Sequence, residues 1–142
     1  MKNCMESNTV YDCSLIKFPE NISVNSFSTK NFDLIPFDIS RVYYLYNLNK
    51  KIERGSHAHK NLKQVIIAPV GSFEIILNDS VNKLKFTLDK PNVGLLVKPG
   101  IWRELNFLST STVCLVLASD NYLEEDYIRD FKKFSNSKLF LK

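Results

Sequence analysis

Histidine is scarce in this chain. His57 and His59 are the two histidines among 142 residues, so a three-His metal centre cannot be built from it. Cysteine is scarce too, and Cys4, Cys13 and Cys114 leave an odd number and no CxxC pair. Free thiols in a reducing cytoplasm are the expectation, with Cys114 a buried small hydrophobe. No apolar run approaches the roughly 18–20 residues of a membrane-spanning helix, so membrane insertion by helices is excluded. The first 14 residues have no long apolar core and no small-residue cleavage site, so no secretory signal is expected. Linkers, repeats and low-complexity blocks are absent as well.

What remains is an ordinary globular mixture, 44% hydrophobic and 24% charged. Its length predicts one domain over 1–142, large enough to fold without a metal or a disulfide. The formal charge of +4 is spread along the chain and densest at Lys50, Lys51, Arg54, Lys60 and Lys63. That is too weak a stripe for nucleic acid, but a basic rim near the histidines suits a small phosphorylated ligand.

Strand-like segments recur at short intervals, over 15–18, 41–47, 64–69, 72–77, 83–88, 94–97, 102–107 and 112–118. The 83–88 stretch alternates lysine with apolar residues, as a strand with one wet face does. Only the C-terminus reads as helical, with Asp120 as a cap and Tyr122, Tyr127, Ile128 and Phe131 near helical spacing. The prediction is an all-β jelly roll or small β-barrel with a short C-terminal helix packed outside.

The segment from Arg54 through Gly55, His57, Ala58 and His59 to Lys60 carries the most chemistry. In a strand His57 and His59 project to one face and Ala58 to the other. This spacing resembles the first motif of the cupins: a glycine, His-x-His, a carboxylate, a second glycine. Gly55, His57, His59 and Gly71 match, but Gln64 stands where the carboxylate is usual. The second cupin motif ends in a histidine, and here that region reads Ile101-Trp102-Arg103-Glu104. A neutral amide is a poor metal ligand and Arg103 is a permanent cation, so the metal-free reading is favoured. A metal site of His57, His59 and Glu104 is the rival.

From Ile35 onward the chain resembles the dTDP-sugar 3,4-ketoisomerases, a metal-independent cupin family. The resemblance rests on Ile35-Pro36-Phe37-Asp38-Ile39, Arg41-Val42-Tyr43-Tyr44, the Arg54–Lys60 segment, Gln64-Val65, Trp102-Arg103-Glu104 and Asp126-Tyr127-Ile128-Arg129-Asp130-Phe131. It implies a dTDP-4-keto-6-deoxy-glucose substrate whose carbonyl moves from C4 to C3, supplying an aminotransferase that makes a sugar for surface glycans such as O-antigens. It implies His57 as base, His59 as helper and a homodimer made by exchanging N-terminal strands, with 15–18 as the candidate. It also implies that Arg103 favours the gluco-configured product. Residues 20–27 depart from the family's substrate loop, so a non-catalytic nucleotide-sugar-binding cupin is a second rival.

The chemistry of a 1,2-carbonyl shift requires a base, donors for an enediolate and an acid, but no cofactor. An imidazole near its ordinary pKa of about 6.5 suits the base, kept neutral by Arg41 or Arg54. Tyr43 is the phenol donor, sharing a strand face with Arg41. Tyr44, on the opposite face, is expected in the core. Arg41, Arg54, Lys60, Gln64, Trp102 and Arg103 are the candidate substrate contacts, though only one of Trp102 and Arg103 can face inward.

Overall fold

The apolar runs of the sequence become the strands of two antiparallel sheets. A computed structural model describes residues 5–19, 33–48 and 54–139. In chain order they form β1 (Ser14–Lys17), β2 (Arg41–Leu45), β3 (Arg54–His59), β4 (Gln64–Val70), β5 (Phe73–Asn78), β6 (Lys83–Leu88), β7 (Val93–Val97), β8 (Trp102–Phe107), β9 (Val113–Ala118), β10 (Tyr127–Ile128) and α1 (Phe131–Leu139). One sheet has the order β1-β7-β4-β9-β2 and the other β10-β3-β8-β5-β6. Among the described residues no hydrogen-bonded ladder joins the two, so the jelly roll is an open sandwich and not a closed barrel.

The main core fills the space between the sheets. Ile66, Leu95, Val97 and Val116 meet Phe73, Ile75, Leu77 and Phe107 there, all buried. Burying such side chains contributes roughly 1.5–3 kcal/mol each. A second cluster of Phe18, Ile35, Val65, Ile67, Leu96 and Leu117 covers the outer face of the first sheet. A third, Met5, Ala58, Trp102 and Phe134, docks α1 on the outside of the second. The wet face of β6 is as expected, with Lys83, Lys85 and Thr87 exposed and Leu84, Phe86 and Leu88 turned inward.

Three expectations are corrected. The 122–128 stretch is not helical: Glu124–Asp126 is a 3-10 turn, and Tyr127 and Ile128 pair with His59 and Ala58 at the edge of β3. Open backbone groups on an edge strand favour such pairing, and it overrides the weak helical spacing. The helix starts at Phe131, where Asp130 Oδ1 accepts from Lys133 N at 2.9 Å, whereas Asp120 accepts from the Ser119 hydroxyl.

The N-terminal strand lies in its own chain's sheet, Leu15 opposite Leu95 of β7. The preceding turn Val10–Asp12 is anchored by Val10 N, which donates to Asp79 Oδ2 at 2.9 Å. Tyr44 is 61% exposed. Edge strand β2 turns Arg41, Tyr43 and Leu45 inward, so the alternate Val42 and Tyr44 face out.

Candidate active site

The two histidines owe their aim to a bulge. Gly55 has φ +75°, and the β3–β8 register shifts between Arg54 and His57. A Cβ at Gly55 would lie 2.0 Å from Leu105 Cδ1, so glycine alone fits a left-handed residue against β8. Beyond the bulge His57 stands opposite Arg103. Ala58 points outward to the Trp102 cluster, and the imidazoles point inward.

His57 Nε2 lies 3.1 Å from His59 Nε2. The other nitrogen of His59, Nδ1, lies 3.0 Å from Asp126 Oδ2. Asp126 is fixed by the backbone N–H groups of Asn61, at 2.7 Å, and Leu62, at 3.3 Å. Asp126, His59 and His57 thus form one hydrogen-bonded chain. The ring of Tyr127 packs at an angle against both imidazoles, its centre 5.0 Å from that of His57 and 4.3 Å from that of His59. Arg129 lies 4.2 Å above Tyr127 and is clamped by both carboxylate oxygens of Glu124 at 2.8 and 3.0 Å.

A second chain comes from the facing strands. Arg103, 1% exposed, donates through Nη1 to Gln64 Oε1 and, at 3.1 Å, through Nη2 to the Ile101 carbonyl. Gln64 Nε2 donates to the Tyr43 hydroxyl at 3.1 Å.

Both chains meet a cavity of about 410 Å³ between the sheets. His57, Tyr43, Gln64, Arg103, Ser56 and Arg129 give it polar groups, and Leu45, Ile66, Leu105 and Val116 give it an apolar wall. That volume and mixture are those of a small-molecule site.

Electrostatics keep both imidazoles uncharged. Burial, then the positive charge of Arg103, lowers the pKa of His57 from 6.5 to about 2. Burial also lowers His59, and the Asp126 hydrogen bond pulls it back only to about 4. Among the described residues the cations acting on His57 are therefore Arg103 and, more weakly, Arg129, and not Arg41. Burial pushes the Asp126 carboxyl upward, but hydrogen bonds from His59 and the Asn61 backbone outweigh it, and the net shift is down. At neutral pH a neutral His59 faces a carboxylate, so Nδ1 carries its proton and Nε2 is a bare acceptor. His57 must then donate through Nε2, which leaves Nδ1 as its lone pair. Tyr43 is raised, chiefly by burial, and stays protonated.

Of the predicted residues, His57, Tyr43, Gln64 and Arg103 line this one cavity, with His59 directly behind. Arg41 lies in a smaller cavity of about 160 Å³ with His59 and Asp126, its guanidinium 5.0 Å from the Tyr43 ring centre. Trp102 is 4% exposed and packs on Phe131 and Phe134 under α1. It is not in the cavity, because strand alternation gives the inward position to Arg103. Lys60 lies outside the lining; its backbone N–H donates to the Asp126 carbonyl at 2.9 Å. The Arg54 side chain and the 20–27 loop lie outside the described residues. Glu104 faces away from the histidines and accepts from the Trp102 indole at 3.1 Å. The carboxylate of the rival metal set is therefore misplaced.

Sequence reasoning missed Asp126, Tyr127 and Arg129 as site residues. Their string was visible, but a two-residue strand has no periodicity to detect.

Comparisons with known proteins show the family of this chain. Residues 11–139 match the family described as FdtA: WxcM-like, C-terminal. A TDP-4-oxo-6-deoxy-α-D-glucose-3,4-oxoisomerase from Aneurinibacillus thermoaerophilus is 47% identical over 70% of this chain and 72% of its own. A 3,4-ketoisomerase from Helicobacter canadensis superposes with TM-score 0.84 at 41% identity, covering 90% of this chain and 98% of that one. QdtA, a sugar 3,4-ketoisomerase from Thermoanaerobacterium thermosaccharolyticum solved with TDP, gives 0.86 at 37% identity, over 93% and 98%. The chain belongs to the FdtA family, among the dTDP-sugar 3,4-ketoisomerases.

Proposed function

We propose that this chain converts dTDP-4-keto-6-deoxy-glucose to the dTDP-3-keto-6-deoxy-hexose. The observation that carries the reading is the hydrogen-bonded Asp126–His59–His57 chain meeting Tyr43 at one cavity. His57 takes the C3 proton at Nδ1, and the C3–H electrons form the C3–C4 double bond while the C4 carbonyl electrons move to oxygen. The gain at Nδ1 lets His57 pass its Nε2 proton to His59, where Asp126 stabilises the imidazolium. Tyr43 donates to the enediolate. Transfer of the O3 proton to O4, with delivery to C4 of the proton held by the imidazolium, then gives the 3-ketone and the 4-hydroxyl and returns both imidazoles to neutral. The shift is internal, so its stoichiometry calls for no external oxidant, reductant or cofactor.

Nε and Nη2 of Arg41 are buried without a hydrogen-bond partner. Two such orphan donors beside the site suit the diphosphate, and Arg129 at the main cavity adds a second cation. By their place in the sequence, Arg54 and Lys60 remain candidate contacts for the same anionic ligand. We take the chain as one domain acting as a homodimer in the cytoplasm, supplying a 3-amino sugar for surface glycans such as O-antigen. Exposed Val42 and Tyr44 on edge strand β2, with exposed Tyr46 just beyond its end, support pairing with a second copy.

The test is incubation with dTDP-4-keto-6-deoxy-glucose in deuterated water, followed by NMR. The expected result is a 3-keto product carrying solvent deuterium. Tight nucleotide-sugar binding with no proton exchange would instead establish the binding-module reading.

The depressed histidines also set the pH response. Both folded-state values, about 2 and about 4, lie below the ordinary 6.5. Their contribution to stability is therefore complete above pH 6.5 and is lost as pH falls toward 4, because the unfolded chain binds protons that the folded one refuses. The free enzyme keeps its base unprotonated over the same range. The acid limb of kcat/KM is expected near pH 4, and a limb at 6.5 would show the imidazoles to be unshifted.

A further inference from the structure

We infer that Gln64 is a positioning residue that compels the Tyr43 phenol to act as a hydrogen-bond donor toward the cavity. Its catalytic consequence rests on the isomerase reading; its geometry does not.

The two ends of an amide cannot usually be told apart by shape, but here the neighbours decide. A guanidinium has donors and no acceptor. Arg103 is held by the Ile101 carbonyl and points Nη1 at Gln64, so the Gln64 oxygen must face it. The amide nitrogen must then face Tyr43, 3.1 Å away, and it can only donate. The phenol oxygen therefore accepts, and its own proton is left for another partner. Tyr43 and Gln64 both line the 410 Å³ cavity, so that partner is whatever fills it. Polarity runs one way, from the Arg103 guanidinium through the Gln64 amide to the Tyr43 hydroxyl.

This explains why a glutamine stands in a place where a carboxylate is usual in the cupin motif. A carboxylate there would satisfy Arg103 equally well. It would also accept the Tyr43 proton and turn the phenol away from the substrate. The amide is the one group of that size that accepts from a cation at one end and donates at the other.

The experiment compares Gln64→Glu, Gln64→Met, Tyr43→Phe and the Tyr43→Phe/Gln64→Glu double variant. Tyrosine labelled with 13C at Cζ reports the ionisation of Tyr43 by NMR, and steady-state kinetics report kcat and KM. In Gln64→Glu the Tyr43 titration moves to higher pH by at least about one unit, as expected beside a hydrogen-bonding carboxylate. Its kcat falls about 100-fold, the scale of losing one oriented donor, with KM little changed. The double variant is no slower than Tyr43→Phe, since both changes remove the same donor. Gln64→Met lowers kcat less than Gln64→Glu, because the phenol is left unpaired but not reversed. A purely space-filling Gln64 would reverse that order. Overturning results are a Tyr43 titration unmoved in Gln64→Glu, or losses that multiply in the double variant. If the wild-type protein does not isomerise the sugar, the function proposed above fails, while the titration still decides this inference.

Discussion

His57→Asn abolishes isomerisation, with kcat reduced at least about 1,000-fold, within the range a positioned general base supplies. Asparagine keeps the size and polarity of the position but cannot take a proton. Solvent deuterium no longer enters at C3, because the step that exchanges it is the one removed. Binding of TDP changes little, since the cations we assign to the diphosphate, Arg41 and Arg129, are untouched. The fold is also kept: His57 is half-buried and its side chain holds no backbone group. Titration calorimetry with TDP and the deuterium experiment separate these effects. Exchange at the wild-type rate in this variant would move the base elsewhere, with His59 the next candidate.

Asp126→Asn is expected to cost about 100- to 10,000-fold in kcat/KM, although it alters one atom and touches no substrate. The reason is the tautomer of His59. The Asp126 side chain accepts from Asn61 N at 2.7 Å through Oδ1, and from Leu62 N and His59 through Oδ2. In asparagine the oxygen stays with the shorter backbone bond, and the NH2 group replaces Oδ2. It then donates to His59 Nδ1 and moves the ring proton to Nε2. His59 now donates toward His57, whose Nε2 lone pair is occupied, and the His57 proton sits at Nδ1. The base is blocked without being displaced. Nitrogen-15 NMR of the imidazoles detects the changed tautomer directly. The introduced NH2 group also faces Leu62 N, a donor against a donor, so stability falls by roughly 1–3 kcal/mol. A variant with normal kcat/KM, or with an unchanged imidazole spectrum, would show that Asp126 only holds the loop.

Much of this was legible residue by residue. Alternation in a strand puts His57 and His59 on one face and Ala58 on the other, and it pairs Arg41 with Tyr43. The same rule leaves one inward place for Trp102 or Arg103, without saying which. Gln64 in place of a carboxylate was visible as a departure, and its meaning was not. That meaning requires knowing that Arg103 lies at one end of the amide and Tyr43 at the other, residues 39 and 21 positions away in the chain. Tyr44 shows the limit of pattern reading. An aromatic residue in a strand reads as core, and only the place of β2 at a sheet edge exposes it.

By itself, then, the sequence determined the class of fold, the scarcity of metal ligands and the histidine pair as the place of chemistry. These depend on composition and on a period of two, which are local properties. The tertiary structure decided which atom of each group is active. Asp126 reaches His59 across 67 positions of sequence because two residues of β10 close the edge of β3. Protonation state, tautomer and hydrogen-bond polarity are set by burial and by non-local partners, and no short-range pattern encodes either.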